Sequence, residues 1–192
     1  MFRTQVAALF VSALTMSSVA CGPGTAPAGQ PPMARLATDT LESVRRAFNQ
    51  ASDHTRVILL LSPTCGTCLH GASAIDEVLK KYPNNQVTVF AVWQPMLPTD
   101  VSAPTTGTLG RISDRRVRQF YDEHHALAKQ MKTDARPPQP TQDCCTRNSI
   151  LWDILAVYAP GDQWTDKIPA ATFFNGPIVD VTAGLEKALA GK

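Results

Sequence analysis

Two patterns of apolar residues alternate along the chain and predict a strand, a helix and a second strand. Residues 57–61 and 87–93 are short, uninterrupted and partly β-branched apolar runs, which is typical of strands buried on both faces. Between them, apolar residues recur every three or four positions from Cys65 until Pro83, which predicts a helix that begins at Cys65. Two such strands joined by a helix predict a parallel, right-handed crossover.

Helical spacing also marks two further segments of the chain. Residues 39–51 form a predicted amphipathic helix with Asp39 as N-cap and Glu42 three positions later. Residues 113–131 repeat apolar side chains at the helical period behind Ser113, and His124 falls on that buried stripe. The segments 94–110 and 133–148 are rich in polar residues and proline and are predicted to be loops.

The C-terminal part predicts three strands and a closing helix. Residues 150–158 are a predicted strand. Residues 170–174 and 178–181 flank Asn175 and Gly176, a dipeptide favoured in tight hairpin turns, so these two runs are predicted to pair. Residues 184–190 are predicted to form the last helix.

The N-terminus has the layout of a bacterial export signal. Residues 1–20 combine Arg3, a short apolar run and a stretch of small residues, and the run is shorter than the roughly 20 residues of a membrane span. Residues 18–21 resemble a lipobox, with Ser18 where a large aliphatic residue is usual, so we expect lipidation at Cys21; cleavage of an ordinary signal is the alternative. Residues 21–38 are predicted to be a flexible tether.

Composition limits the number of domains and the kinds of partner. The 192 residues are 44% hydrophobic and 18% charged, enough for one core, which we assign to residues 39–192. The net charge of +2 has no basic run behind it, so nucleic-acid binding is not expected.

The pair Cys65 and Cys68 is the candidate for chemistry. A C-x-x-C motif occurs in zinc half-sites and in dithiol redox centres. The strand before it and the helix after it favour the redox interpretation, because a helix N-terminus stabilises a thiolate. Cys65 is then the nucleophile, and Cys68 resolves the mixed disulfide.

Residues 59–68 and 167–176 resemble the thioredoxin superfamily. The resemblance implies an α/β, thioredoxin-like fold with a central mixed β-sheet flanked by helices, and a helix and strand region inserted at residues 94–158. It implies that Pro169 is a cis-proline beside the dithiol, where it borders the groove for the partner. Ile168 precedes that proline, while Gly66 and Thr67 shape the connection between the two cysteines. The acidic residue that thioredoxins bury before the first cysteine is replaced by Leu59.

The expected function is thiol–disulfide exchange in the cell envelope, with a Cys65–Cys68 disulfide as the redox group, no other cofactor and no metal. Expected partners are exported thiol or disulfide proteins and a membrane redox donor or acceptor. Four alternatives stay open: a permanent structural disulfide, a copper-type metallochaperone, a non-catalytic binding module and a peroxidase.

Cys144 and Cys145 are a possible second thiol site. Four interpretations stay open: a vicinal disulfide, two thiols with other partners, a resolving site for Cys65, and a site for a soft metal ion.

Overall fold

The computed structural model describes residues 24–36 and 40–191, which form eight strands, five α-helices and one 3₁₀ helix. The strands are β1 Ala34–Arg35, β2 Thr55–Leu61, β3 Val87–Trp93, β4 Val117–Tyr121, β5 Thr146–Arg147, β6 Ile150–Leu151, β7 Ile154–Tyr158 and β8 Phe173–Asn175. The helices are α1 Glu42–Gln50, α2 Gly66–Lys81, α3 Thr106–Leu109, α4 Ala126–Asp134 and α5 Thr182–Ala190, with a 3₁₀ helix at Ile178–Asp180.

A six-stranded mixed sheet runs through the centre of the molecule in the order β1-β4-β3-β2-β7-β8. β1, β4, β3 and β2 are parallel to one another, whereas β7 and β8 are antiparallel to their neighbours. β5 and β6 form a separate two-stranded hairpin. The parallel pairing of β2 and β3 across α2 confirms the predicted strand-helix-strand unit.

Helices cover both faces of this sheet because the central strands are apolar on both sides. All seven residues of β2 and of β3 are buried. Val57 and Leu59 face a core shared with α2 and α5, while Ile58 and Leu60 face a second core shared with α1 and α4. The predicted fold class, a mixed central sheet flanked by helices, is confirmed.

The predicted helix at 113–131 is wrong: this segment contains strand β4 and, after a turn, helix α4. Val117 and Tyr121 face one core and Phe120 faces the other, so β4 is apolar on both sides. Such a strand yields spacings that also fit a helix, and pairing with β3 decides between them. His124, predicted to pack, is exposed.

Two predictions in the C-terminal part are also corrected. The strand predicted at 150–158 is divided into β6 and β7, because Asp153 has a left-handed backbone with φ 53°. The predicted hairpin around Asn175 and Gly176 is absent from the described residues: β8 pairs with β7, and the residues after Gly176 form the 3₁₀ helix. The closing helix is present as α5.

The tether prediction is wrong for residues 24–36, which pack on the domain. β1 extends the sheet beside β4, and the Gly24 amide donates to the carbonyl oxygen of Pro104. The Gln30 side chain donates to the carbonyl oxygens of Ile112 and Asp114. The predicted signal sequence and Cys21 lie outside the described residues, as does the predicted N-cap Asp39.

Residues 94–158, predicted as an insertion, do not form a separate layer. Their strands β4 and β7 lie on the two sides of the β3–β2 pair in the central sheet. Within the part of the chain that the structure describes, no helix is both long enough and apolar enough to span a bilayer.

Candidate redox site

Cys65 and Cys68 lie at the N-terminus of α2, directly after the end of the central strand β2. Cys65 is the N-cap residue, and its Sγ accepts a hydrogen bond of 3.4 Å from the Cys68 amide. This contact and the helix dipole stabilise negative charge on the Cys65 sulfur. Both residues are free thiols, with Cys65 7% exposed and Cys68 fully buried. Cys65 is therefore the member of the pair that an external partner can reach.

The turn that leads into Cys65 is held by the buried carboxylate of Asp100. Asp100 accepts hydrogen bonds from the Ser62 hydroxyl and from both the amide and the hydroxyl of Thr64, at 2.7–2.9 Å. It also accepts from the amides of Met96 and Leu97 in the loop after β3. Asp100 therefore joins the loops that follow β2 and β3, and this fixes the backbone on which Cys65 is placed.

A second buried carboxylate, Asp153, lies beside the two sulfurs. One carboxylate oxygen of Asp153 and the Sγ atoms of Cys65 and Cys68 all lie within 4.8 Å of one another. Asp153 is 4% exposed and precedes β7, whose first residue pairs with Leu60 near the end of β2. Its Oδ1 accepts a hydrogen bond of 3.2 Å from the Ile178 amide.

Burial shifts the protonation equilibria of this group towards the neutral forms. Desolvation raises the pKa of the Cys68 thiol, and the neighbouring Asp153 charge raises it further. Desolvation also raises the pKa of Asp153, although hydrogen bonds from Ile178 and Cys68 partly oppose this. Cys68 therefore does not lose its proton readily, and it lies beside a carboxylate whose raised pKa suits it to accept a proton.

The electrostatics of Asp100 are different. Burial opposes its ionisation, but the hydrogen bonds from Thr64, Ser62, Leu97 and Met96 outweigh that effect and lower its pKa. Asp100 is therefore a carboxylate that orders the loop, whereas Asp153 can exchange a proton.

The structure contradicts the predicted role of Pro169 in the site. β7 runs antiparallel to β2, so Asp153 lies at the Cys65 end of the sheet and Tyr158 lies at the opposite end. Pro169 follows Tyr158 in the connection to β8, and the seven residues of β2 span about 20 Å. The cis peptide bonds among the described residues precede Pro138 and Pro177, so the prediction that Pro169 is cis is wrong.

Ile168 also lies away from the dithiol. It is buried in the core that contains α1 and α4, and its amide donates to Asp134. Gly66 and Thr67 are exposed at the first turn of α2, beside the two cysteines. Residues 167–176 resemble the thioredoxin motif in sequence, but Ile168 and Pro169 lie in the connection between β7 and β8.

Pro177 adjoins the site instead. Its neighbour Gly176 is so close to Asp153 that a Cβ at Gly176 would collide with the Asp153 carbonyl oxygen. Its other neighbour, Ile178, binds the Asp153 carboxylate through its amide. The Sγ of Cys145, which forms a disulfide with Cys144, packs against the same side of Gly176.

Asp153 and Asp100 were not predicted from the sequence. Asp153 has a visible signal, since it is a single acidic residue within the apolar run 150–158. A carboxylate in such a run is rarely buried without a partner or a chemical role. Asp100 has no comparable signal, because it lies in a polar loop, and only the folded chain brings it to Thr64.

The site also contains a possible set of metal ligands. Within the described residues, Cys65, Cys68 and Asp153 form the group of three ligand atoms close enough to hold one ion. Two thiolates and a carboxylate fit a zinc-type ion with an open position. His70 is exposed on α2 and is not part of this group.

The fold and the site define an α/β protein with a dithiol at the N-terminus of a helix and a buried carboxylate beside it. No family model matches the chain, and no similar curated protein was found. A solved structure described as a thioredoxin-like protein in the oxidised form is similar, with a TM-score of 0.44 and 18% identity over 72% of this chain and 79% of that chain.

Proposed function

We propose that the protein is a thiol–disulfide oxidoreductase that acts through Cys65 and Cys68. The observation that carries this proposal is the buried group in which the Asp153 carboxylate lies within 4.8 Å of both sulfurs. A purely structural cysteine pair needs no carboxylate, and burying one costs free energy. A pair so close in sequence also closes a very short loop, which gives little chain-entropy stabilisation.

The first step of the reductive reaction takes place at Cys65. Its thiolate attacks one sulfur of a partner disulfide, so that a mixed disulfide forms and the second partner sulfur leaves as a thiolate. Cys65 suits this role because its sulfur already accepts the Cys68 amide at the positive end of α2. The exposed residues Thr64, Gly66 and Thr67 surround the point of attack.

The second step uses Cys68 and Asp153. Asp153 accepts the proton of the Cys68 thiol, and the resulting thiolate attacks the Cys65 sulfur. The mixed disulfide breaks, the partner leaves with its second thiolate, and a Cys65–Cys68 disulfide remains. In the oxidative direction the same steps run in reverse, and the carboxylic acid of Asp153 returns the proton to Cys68.

The reduction potential of the Cys65–Cys68 couple tests this proposal directly. The protein carries a second cysteine pair, so the measurement uses the Cys144→Ser/Cys145→Ser background and glutathione buffers of graded ratio. We expect a reversible two-electron transition in this variant and none when Cys65→Ser is added. A pair that never changes state between these buffers would leave a structural role and overturn the proposal.

The cluster of ligand atoms favours a second candidate, a metal carrier. In this case Cys65, Cys68 and Asp153 hold a soft or zinc-type ion. Anaerobic titration of the reduced Cys144→Ser/Cys145→Ser variant with Cu(I), and separately with Zn²⁺, tests it. One ion per chain, weakened at least tenfold by Asp153→Asn, would support the carrier; an unchanged affinity would exclude Asp153 as a ligand.

We also propose that the protein is exported and anchored through a lipid on Cys21. The support is the signal-like sequence at residues 1–20 and the resemblance of residues 18–21 to a lipobox. Lipidation is tested by expressing the full chain in a bacterium and fractionating the cells. We expect the protein in the membrane fraction and Cys21→Ser outside it; membrane association unchanged by that substitution would exclude the lipid anchor.

A further inference from the structure

The disulfide between Cys144 and Cys145 does not act as a structural crosslink. It joins adjacent residues whose Cα atoms are 3.7 Å apart, so it closes no loop of chain. The stabilisation that a disulfide provides by restricting the unfolded chain grows with loop length and is therefore minimal here. Both cysteines are only partly buried and are accessible to other thiols.

Hydrogen bonds of the preceding residue, Asp143, hold this pair against the end of β8. The Asp143 amide donates to the Asn175 side chain at 3.0 Å, and the Asn175 amide group donates back to the Asp143 carboxylate at 2.9 Å. The Cys145 Sγ atom lies 3.0 Å from where a Cβ on Gly176 would be. A larger residue at 176 would therefore push Cys145 away from this segment.

The disulfide and the residues around Gly176 are also linked to the Cys65–Cys68 site, through Trp152, Asp153 and Ile178. The Trp152 amide donates to the Cys145 carbonyl oxygen at 3.0 Å, and the next residue is Asp153. Asp153 lies beside the two sulfurs of Cys65 and Cys68 and accepts from Ile178, two residues after Gly176. Trp152, the residue before Asp153, and Gly176, the residue before Pro177, thus contact Cys145. Asp153, which accepts the Ile178 amide, lies beside the dithiol.

We propose that Cys144–Cys145 is a second redox centre, which exchanges two electrons with Cys65 and Cys68 within one chain. This inference rests on the proposed function, because it needs a reactive Cys65. The structure contains the two halves of such an exchange, a dithiol at Cys65 and Cys68 and a disulfide at Cys144 and Cys145. Such an exchange needs no external oxidant or reductant.

The exchange proceeds in two balanced steps. The Cys65 thiolate attacks the Cys145 sulfur, the Cys144–Cys145 bond breaks, and Cys144 leaves as a thiolate. The Cys68 thiolate, formed by proton transfer to Asp153, then attacks the Cys65 sulfur and releases Cys145 as a thiolate. The products are a Cys65–Cys68 disulfide and the dithiol of Cys144 and Cys145, which takes up the two protons released from Cys65 and Cys68.

The assignment of Cys145 as the attacked sulfur follows from its contacts. Its sulfur packs against Gly176, next to the residues that bind Asp153, whereas Cys144 is the residue that follows the exposed Asp143. In this arrangement Cys144 is the leaving thiolate and faces partners from outside. The protein would then present two dithiols, one at Cys65 and one at Cys144, to different redox partners.

Removing Cys68 tests the inference, because the exchange then stops at the mixed disulfide. The full-length Cys68→Ser variant, with Cys144–Cys145 oxidised, is held without added thiol, and its disulfides are mapped by mass spectrometry after alkylation. We expect a link from Cys65 to Cys145, formed at a rate independent of protein concentration. A link from Cys65 to Cys144 supports exchange through the other sulfur.

The matched control is the Cys68→Ser/Cys145→Ser variant, which has no internal disulfide to attack and should form no link. The Cys68→Ala variant repeats the test with a different side chain at the buried position, and circular dichroism verifies that each variant is folded. A free Cys65 thiol beside an intact Cys144–Cys145 disulfide in the folded variants overturns the inference.

The outcome is separable from that of the proposed function. If the Cys144→Ser/Cys145→Ser variant has a reversible Cys65–Cys68 couple and no link forms in the Cys68 variants, the oxidoreductase stands and the second centre is excluded. If that couple is absent and no link forms, both fail. A link in the Cys68 variants supports the second centre together with a reactive Cys65.

Discussion

Asp153 is a carboxylate placed among apolar side chains, next to a thiol whose pKa is raised by burial. Desolvation by burial is the largest cause of the raised pKa of both Asp153 and Cys68. In water a carboxylate is a poor base for a thiol, because their pKa values lie several units apart. The buried site raises the pKa of both groups, so Asp153 is a stronger base than a carboxylate in water and Cys68 is a weaker acid than a thiol in water.

Replacing Asp153 with Asn should slow the step in which Cys68 resolves the mixed disulfide. Asn keeps an oxygen to accept the Ile178 amide but cannot accept a proton. A lost general base typically costs about 100- to 10,000-fold in rate. This step is measured in the Cys144→Ser/Cys145→Ser background by quenched-flow alkylation, which traps the free Cys68 thiol while Cys65 is still in the mixed disulfide.

The pH dependence gives this prediction a direction. The resolving rate of the protein with Asp153 should rise with pH as Asp153 ionises, because only the carboxylate accepts the proton. The Asp153→Asn variant should lose that part of the profile. Identical profiles for the two proteins would exclude Asp153 as the base.

The same substitution, which should slow the reaction, should make the folded protein more stable at neutral pH. Because the pKa of Asp153 is raised in the folded protein, ionising it favours unfolding, and the stability present at low pH is lost as pH rises through the folded pKa. Asp153→Asn should therefore be more stable than the original protein at neutral pH, by about 1.4 kcal/mol for each pKa unit of the shift.

Urea unfolding at several pH values checks this expectation. The difference in free energy of unfolding should shrink as pH falls through the folded pKa and vanish below about 3.9, the ordinary pKa of Asp, since the carboxyl is then neutral in both states. A variant that is less stable at neutral pH would mean that Asp153 is held mainly by hydrogen bonds.

At the scale of elements, the site is assembled where loops meet at one end of the central sheet. β2 leads directly into α2, which fixes the two cysteines one helical turn apart. Asp153, which has a left-handed backbone, separates β6 from β7, and its carboxylate lies beside the sulfurs of Cys65 and Cys68. Asp100 connects the loop after β3 to the turn before Cys65.

Replacing Asp100 with Asn should loosen this connection. The folded pKa of Asp100 is lowered, so its contribution to stability is present above the ordinary Asp pKa and is lost as pH falls through the folded value. Asn presents an NH₂ group to backbone and hydroxyl donors, and we expect a loss of about 2 kcal/mol at pH 7.

Thermal unfolding and the rate of Cys65 alkylation by iodoacetamide measure the two effects of this change. Thr64→Val is the matched control, since it removes one hydroxyl donor and leaves the carboxylate in place. We expect Asp100→Asn to alter both quantities more than the control does. Equal effects would mean that the Asp100 charge has no special part in ordering the turn.

At the scale of the whole molecule, the sheet separates the redox site from the motif that resembled a thioredoxin proline. Pro169 lies in the connection that leaves the Tyr158 end of β7, and Asp153 lies at the other end of that strand. The two ends differ in character, because one contains the dithiol and the other contains packing contacts of Ile168 and Trp164. A substitution at Pro169 therefore acts on packing and not on the redox chemistry.

Pro169→Ala should leave the reduction potential and the resolving rate of Cys65–Cys68 unchanged within twofold. The physical reason is that Ile168, the neighbour of Pro169, packs in the core shared with α1 and α4, whereas Cys65 and Cys68 belong to the core on the other face of the sheet. The same glutathione equilibration and alkylation assays apply, with Asp153→Asn as the positive control. A tenfold change in either quantity would place Pro169 in the site after all.

The sequence by itself determined the parallel β2-α2-β3 unit and the position of Cys65 at a helix start. Local patterns suffice there, because an uninterrupted apolar run, helical spacing and a stop at Pro83 are all visible in residues that are close together in the chain. β4 could not be predicted in this way: a strand buried on both faces has no alternation, so its pairing with β3 decided its structure.

Only the tertiary structure decided which groups surround the dithiol. Asp100, Asp153 and the Cys144–Cys145 pair lie 35 to 88 residues from Cys65 in the chain, and the resemblance placed Pro169 there instead. Their positions follow from the antiparallel register of β7 against β2 and from hydrogen bonds between loops. Such contacts join distant segments, and no pattern of neighbouring residues contains them.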